Sequence, residues 1–174
     1  MISRLAYRSR QFWNALSSPS KRITNESLLS HLTPTQLMLF RRMQPSEQAH
    51  AYQIFKHLET AGHVNSDLLA AALLHDVGKI LYPLSIFDRI IIVVGKRSLR
   101  GTVRRWAAGT PHGLRRPFVV AEKHAEWGAD LASQAGANPR TVELIRHHHD
   151  LLLPDAGSDT QRLLAALHAA DDEN

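Results

Sequence analysis

Apolar residues recur along this chain at helical spacing, without the alternation of a half-buried strand. The densest run, Leu68-Leu69-Ala70-Ala71-Ala72-Leu73-Leu74, is apolar all round and predicts a fully buried helix. Asn65 or Ser66 caps its start and Gly78 its end. Upstream, Thr33, Pro34 and Gln36 read as the N-cap, first-turn proline and capping-box partner of a helix. That helix carries Leu37, Phe40 and Met43 inward and stops before Pro45; Ser46 caps the next, which runs to Gly62. A linker from Lys21 to Asn25 and a short helix from Glu26 to His31 precede them. Downstream, Pro83 opens a helix that turns Ile86, Ile90 and Val93 inward and ends at Gly95. The segment from Ser98 to Ala108 is helical, and Gly109 to Gly113 is a loop. Pro117 opens a long helix ended by Gly136, and Asn138-Pro139 starts another. Leu151 to Gly157 is a loop, and Ser158 caps the last helix. The fold class is all-α: a single helical bundle over residues 32–174, preceded by an N-terminal segment over 1–31.

Composition narrows the chemistry. Cysteine is absent, which rules out disulfides and thiolate metal sites and suits a reducing cytoplasm. Lys and Arg number 21 against 16 Asp and Glu, and the excess is local. No acidic residue falls between Arg89 and Ala121, whereas Lys96, Arg97, Arg100, Arg104, Arg105, Arg115 and Arg116 do. Such a stretch suits an anionic partner: a phosphorylated substrate, a membrane surface or another polyanion. No run is long enough to span a membrane. The segment Met1 to Leu16 carries Arg4, Arg8 and Arg10 among Leu5, Phe12 and Trp13. It reads first as an amphipathic helix docked on its own domain, and second as a peripheral membrane contact.

The polar residues on the apolar faces carry the functional signal. His75 and Asp76 end the apolar run, and His50 shares a stripe with Ile54 and Leu58. His124 lies one turn from Val120 and Gly128; Val142, Leu144 and Ile145 lead to His148 and His149. Leu164 and Leu167 lead at the same spacing to Asp171. Any one alone reads as a hydrogen-bonded core residue or a solvated one. Together they need a shared cation, since buried imidazoles and carboxylates require compensation. Imidazole and carboxylate ligands favour Fe or Mn, with Co, Ni or Zn as further options. More than four ligands suggests a two-metal site, which activates water and clamps a phosphoryl oxygen. Glu47 is close to His50, but its spacing does not make it a ligand.

His50, His75-Asp76 and Asp171 resemble the H…HD…D pattern of the HD-domain superfamily of metal-dependent phosphohydrolases. The resemblance covers about Leu32 to Asp171 and is most specific over Leu68–Lys79. His124, His148 and His149 resemble the additional ligands of two-metal subgroups. These include cyclic-di-GMP phosphodiesterases of HD-GYP type and dinucleoside-tetraphosphate hydrolases. Two departures separate the chain from both: no Gly-Tyr-Pro follows His149, and His149 itself stands where the tetraphosphate hydrolases carry Thr. The resemblance implies an all-helical fold and hydrolysis of a phosphate ester, often of a nucleotide. Asp76 then bridges metals and orients the nucleophile, and Lys79 neutralises phosphoryl charge. Arg97, Arg100 and Arg104 are candidates for substrate phosphate, and Trp106 reads as packing. The alternatives are a non-catalytic HD module that binds a nucleotide or protein partner, and a membrane- or nucleic-acid-associated protein led by its basic segment.

Overall fold

The computed structural model describes residues 23, 25–98, 100–150 and 157–173, without the side chains at 25, 26, 96–98, 100, 104 and 158. The expected helix from Met1 to Leu16 and nearly all of the loop from Leu151 to Gly157 lie outside the described residues. Among the described residues there is no strand. The helices are α1 (Asn25–Leu29), α2 (Pro34–Arg42), α3 (Pro45–Thr60), α4 (Ser66–Leu74), α5 (Ile86–Ser98), α6 (Arg100–Ala107), α7 (Arg116–Gln134), α8 (Pro139–Arg146) and α9 (Ser158–Glu173). Two 3-10 turns, Val77–Leu81 and Gly113–Arg115, complete the path. The all-α expectation is met.

Local capping chemistry sets several of these boundaries. The Thr33 hydroxyl accepts from the Gln36 N–H, and the Gln36 side chain accepts from the Thr33 N–H at 3.0 Å. The Asn65 side chain accepts from the Leu68 N–H at 3.0 Å and starts α4. α3 departs from expectation, beginning at Pro45 rather than being capped by Ser46. Pro45 needs no hydrogen bond in the first turn, and Glu47 reaches back to the Gln44 N–H at 3.2 Å. α5 likewise begins from a reciprocal pair, with Asp88 accepting from the Ser85 N–H and hydroxyl, rather than at Pro83.

α4 is the axis of the bundle. Leu68 through Leu74 are all buried, and α2, α3, α8 and α9 pack around it. Leu28 and Leu32 belong to the same core as Phe40, Ile54, Phe55, Leu58, Leu144, Leu164 and Leu167. Met43 is buried with them as expected, and Leu37 is partly buried. A second, smaller core joins Val103 and Ala107 of α6 to Phe118 of α7, with Ile92 and Trp106 beside it. Trp106 lies against the Phe118 ring, 5.7 Å between centroids, in the packing role expected of it.

Further expectations fail at two glycines. Gly78 does not cap α4, which ends at Leu74; Gly78 lies inside the 3-10 turn without a positive φ. Its missing side chain is what matters. A Cβ there would sit 2.0 Å from the His124 carbonyl oxygen and 2.7 Å from the Gly128 nitrogen. The turn therefore rests directly on the α7 backbone at two facing glycines. Gly95 does not end α5 either; it lies inside the helix, where a Cβ would meet the Phe118 ring at 2.5 Å. The face bearing Gly95 and Ile92 points inward, so Ile86, Ile90 and Val93 point outward and are exposed, the reverse of expectation. Periodicity reveals an apolar face but not which of two such faces is covered.

A Gly78→Ala substitution is expected to destabilise the protein by roughly 3 kcal/mol or more, since backbone cannot yield as a side chain does. Urea unfolding measures it, and a variant with the wild-type midpoint would mean that the two backbones are not in contact.

Candidate metal centre

The end of α4 is where the chain changes pitch. In a continuous helix, neighbouring side chains diverge by about 100°. His75 keeps α-geometry, and the backbone leaves it at Asp76, with φ −94° and ψ 2°. The Lys79 N–H donates to the Asp76 carbonyl at 3.0 Å and closes the turn. His75 and Asp76 consequently face one another, His75 Nε2 lying 3.6 Å from Asp76 Oδ2. On its other side Asp76 Oδ1 lies 3.2 Å from His124 Nε2 and 2.6 Å from Lys79 Nζ. The Gly78–Gly128 contact is what brings His124 within this reach.

Three imidazoles are oriented by the same device. His75, His124 and His148 each place Nδ1 against a carbonyl of the preceding turn: Ala72 at 2.9 Å, Val120 at 2.9 Å and Ile145 at 2.7 Å. A carbonyl only accepts, so each Nδ1 carries a proton and Nε2 is the ring atom turned toward the centre. The ring planes cluster, with centroids 5.1 Å apart for His75 and His148 and 5.3 Å for His124 and His148. His149 brings its Nε2 to 3.1 Å from that of His124. On the opposite flank, His50 Nε2 lies 2.9 Å from Asp171 Oδ1, joining α3 to α9 across 121 positions of sequence.

The structure thus brings together all seven expected ligands, His50, His75, Asp76, His124, His148, His149 and Asp171, together with Lys79. They form two groups, His50 with His75 and Asp171, and His124 with His148 and His149. Within each, candidate ligand atoms lie no more than 4.8 Å apart. Asp76 stands between them, Oδ2 toward His75 and Oδ1 toward His124. His147 is set apart and pairs with Asp150 at 2.8 Å. Asp172 is exposed.

The electrostatics suit a cation. Burial alone would raise the Asp76 carboxyl, but Lys79, His75 and His124 together pull it well below its ordinary value. Asp171 is also lowered, the His50 hydrogen bond and the nearby His75 outweighing burial. Burial lowers His75 and, more strongly, His148, keeping both rings neutral. His149 is lowered to about 4 by burial and by His124. Much of its surface is open, but its Nε2 faces His124, and that inner environment governs its proton. Neutral imidazoles beside ionised carboxylates are the protonation states that ligate metal. His148 Nε2 supplies the test of fit: it is buried and has no hydrogen-bond partner. A stranded buried acceptor is costly, and a cation among these donors satisfies it. The nitrogen and oxygen donors fit a divalent transition ion.

Two residues around the site were not assigned roles from sequence. Glu47, one turn before His50, is buried, and its oxygens are taken by Arg89 at 3.1 Å and the Gln44 N–H. Burial raises its carboxyl, with Lys79 opposing and Asp76 reinforcing. Its place on the His50 stripe was a signal for burial, whereas Arg89 comes from a distant segment and left none. Of the expected phosphate-binding residues, Arg97 falls in α5 and Arg100 and Arg104 in α6, but their side chains lie outside the described residues.

The HD domain family model matches residues 46–172. Comparisons with curated proteins and with solved structures found no match. The matched span begins just before Glu47 and ends just after Asp171, enclosing every residue of the cluster. The chain therefore belongs to the HD-domain family, within the superfamily of metal-dependent phosphohydrolases.

Proposed function

We propose that this protein hydrolyses a phosphate ester of a nucleotide or related small phosphorylated molecule, using one or two divalent transition-metal ions, Fe or Mn before Co, Ni or Zn. The observation that carries this reading is the buried, unpartnered Nε2 of His148, set among the ligand atoms of His124 and His149. His50, His75 and Asp171 would hold one ion, His124, His148 and His149 the other, and Asp76 would contribute an oxygen to each. Ions held there would acidify a water near neutrality and stabilise charge on the phosphoryl oxygens.

The protein's own groups do the positioning. The Nδ1–H bonds to Ala72, Val120 and Ile145 fix three ligand rings before anything binds, so no ordering is needed at the moment of reaction. Asp76, standing between the two groups, would orient the attacking water. Lys79, paired with Asp76 and one-fifth exposed, is within side-chain reach of a phosphoryl oxygen at the same centre. Arg97, Arg100 and Arg104 are the candidates to hold remaining phosphate charge.

Metal analysis of purified protein is expected to find one to two transition ions per chain, and Asp76→Ala to lose both metal and phosphatase activity. Lys79→Gln is expected to keep its metal while kcat falls about 100-fold. The substrate panel is nucleotides and cyclic dinucleotides with Mn, Fe, Co and Ni. A wild-type chain that takes up no metal on reconstitution would sink the proposal; one that binds metal but turns over no substrate would point to a binding module.

Acid should act through the same residues. His75, His148 and His149 hold protons less readily folded than unfolded, so the unfolded state gains protons first as pH falls. Chelated protein is expected to lose stability as pH drops below the ordinary histidine value of 6.5, with the His149 contribution exhausted near 4. Asp76 and Asp171, both lowered, contribute stability above the ordinary aspartate value of 3.8 that is lost as pH falls further. Thermal melts of the chelated protein across that range measure this. A flat melting temperature between pH 7 and 4 would contradict the neutral-imidazole assignment (a His148→Leu variant should flatten the upper part only).

A further inference from the structure

α5 carries two apolar faces. The inner one is narrow: Ile92 packs with the small core, and Gly95 lies against the Phe118 ring. The outer one is wider, and no packing partner for it is seen among the described residues. Ile86, Phe87, Ile90, Ile91, Val93 and Val94 are all exposed, Phe87 at 78%. At about 100° per residue these six fall within an arc of roughly 160°. Isolated exposed apolar residues are ordinary, but six adjoining on one helix mark a contact surface.

Charge says what covers it. The acid of α5, Asp88, is drawn to the helix start by Ser85 and lies 3.5 Å from Arg116 Nη1. From Arg89 to Ala121 the sequence has no other acid, while Lys96, Arg97, Arg100, Arg104 and Arg105 follow the apolar face directly. Arg105 is exposed on α6. A symmetric contact with a second copy would set this basic segment against itself. An anionic lipid surface meets both features at once, taking the apolar stripe into its headgroup boundary and the cations at its phosphates. No helix among the described residues is long and apolar enough to cross a membrane, so the contact would be in the plane of the surface.

We propose that the outer face of α5, with the basic segment that follows it, docks this protein on an anionic phospholipid bilayer. The proposal does not depend on the metal chemistry.

The test is co-sedimentation of the full chain with vesicles of phosphatidylcholine alone or with phosphatidylglycerol added. Partitioning is expected to be at least about 10-fold stronger on anionic vesicles and to weaken as salt rises. Phe87→Ser with Val94→Ser should reduce it about 10-fold without changing the melting temperature, since both side chains are already in water. Equal binding by this variant would place the contact elsewhere and overturn the proposal. Failure of the wild type to bind anionic vesicles would overturn it too. So would light scattering that shows a dimer, dissociated by the same substitutions, in a protein that ignores vesicles.

Discussion

A carboxylate with one-twentieth of its side chain in contact with water has to be compensated from every direction, and Asp76 is such a group. Lys79 approaches it from the following turn, His75 from the preceding residue and His124 from another helix. His124 would not reach it if α7 stood a normal helix–helix distance away. Two facing glycines, Gly78 and Gly128, remove that distance. The price is a point of contact where not even one methyl group fits.

The imidazoles are held in a way that makes their chemistry insensitive to what binds. Each of the three buried rings spends its Nδ1 proton on the carbonyl of its own preceding turn, a partner fixed by secondary structure. The inward atom of each is therefore Nε2. Burial then keeps His75 and His148 neutral, and Asp76 and Asp171 stay ionised because they have the stronger partners.

α5 connects this centre to the outer surface of the molecule. Arg89 reaches inward to the buried Glu47, and Arg116 lies close to Asp88 at the start of the same helix. The charged inner contact and the apolar outer stripe therefore lie on different faces of the same turns.

Much was legible from sequence because local forces decide it. The reciprocal bonds of Thr33 and Gln36, the Asn65 cap and the seven-residue apolar run of α4 act within one turn of chain, so their outcomes follow from neighbours. The residues of the site were visible for a related reason: an imidazole or carboxylate on an apolar stripe must be buried, whatever it meets. What it meets was decided only by tertiary structure. The pairing of His50 with Asp171 and of His149 with His124 depends on helix packing between distant segments. The same holds for Glu47 and Arg89. Gly78 and Gly95 read as helix stops, yet they are contact points, since absence of a side chain serves either purpose and only a neighbouring backbone or ring chooses. The orientation of α5 was undecidable for the same reason: periodicity describes a helix's faces, while Phe118 determines which of them is inside.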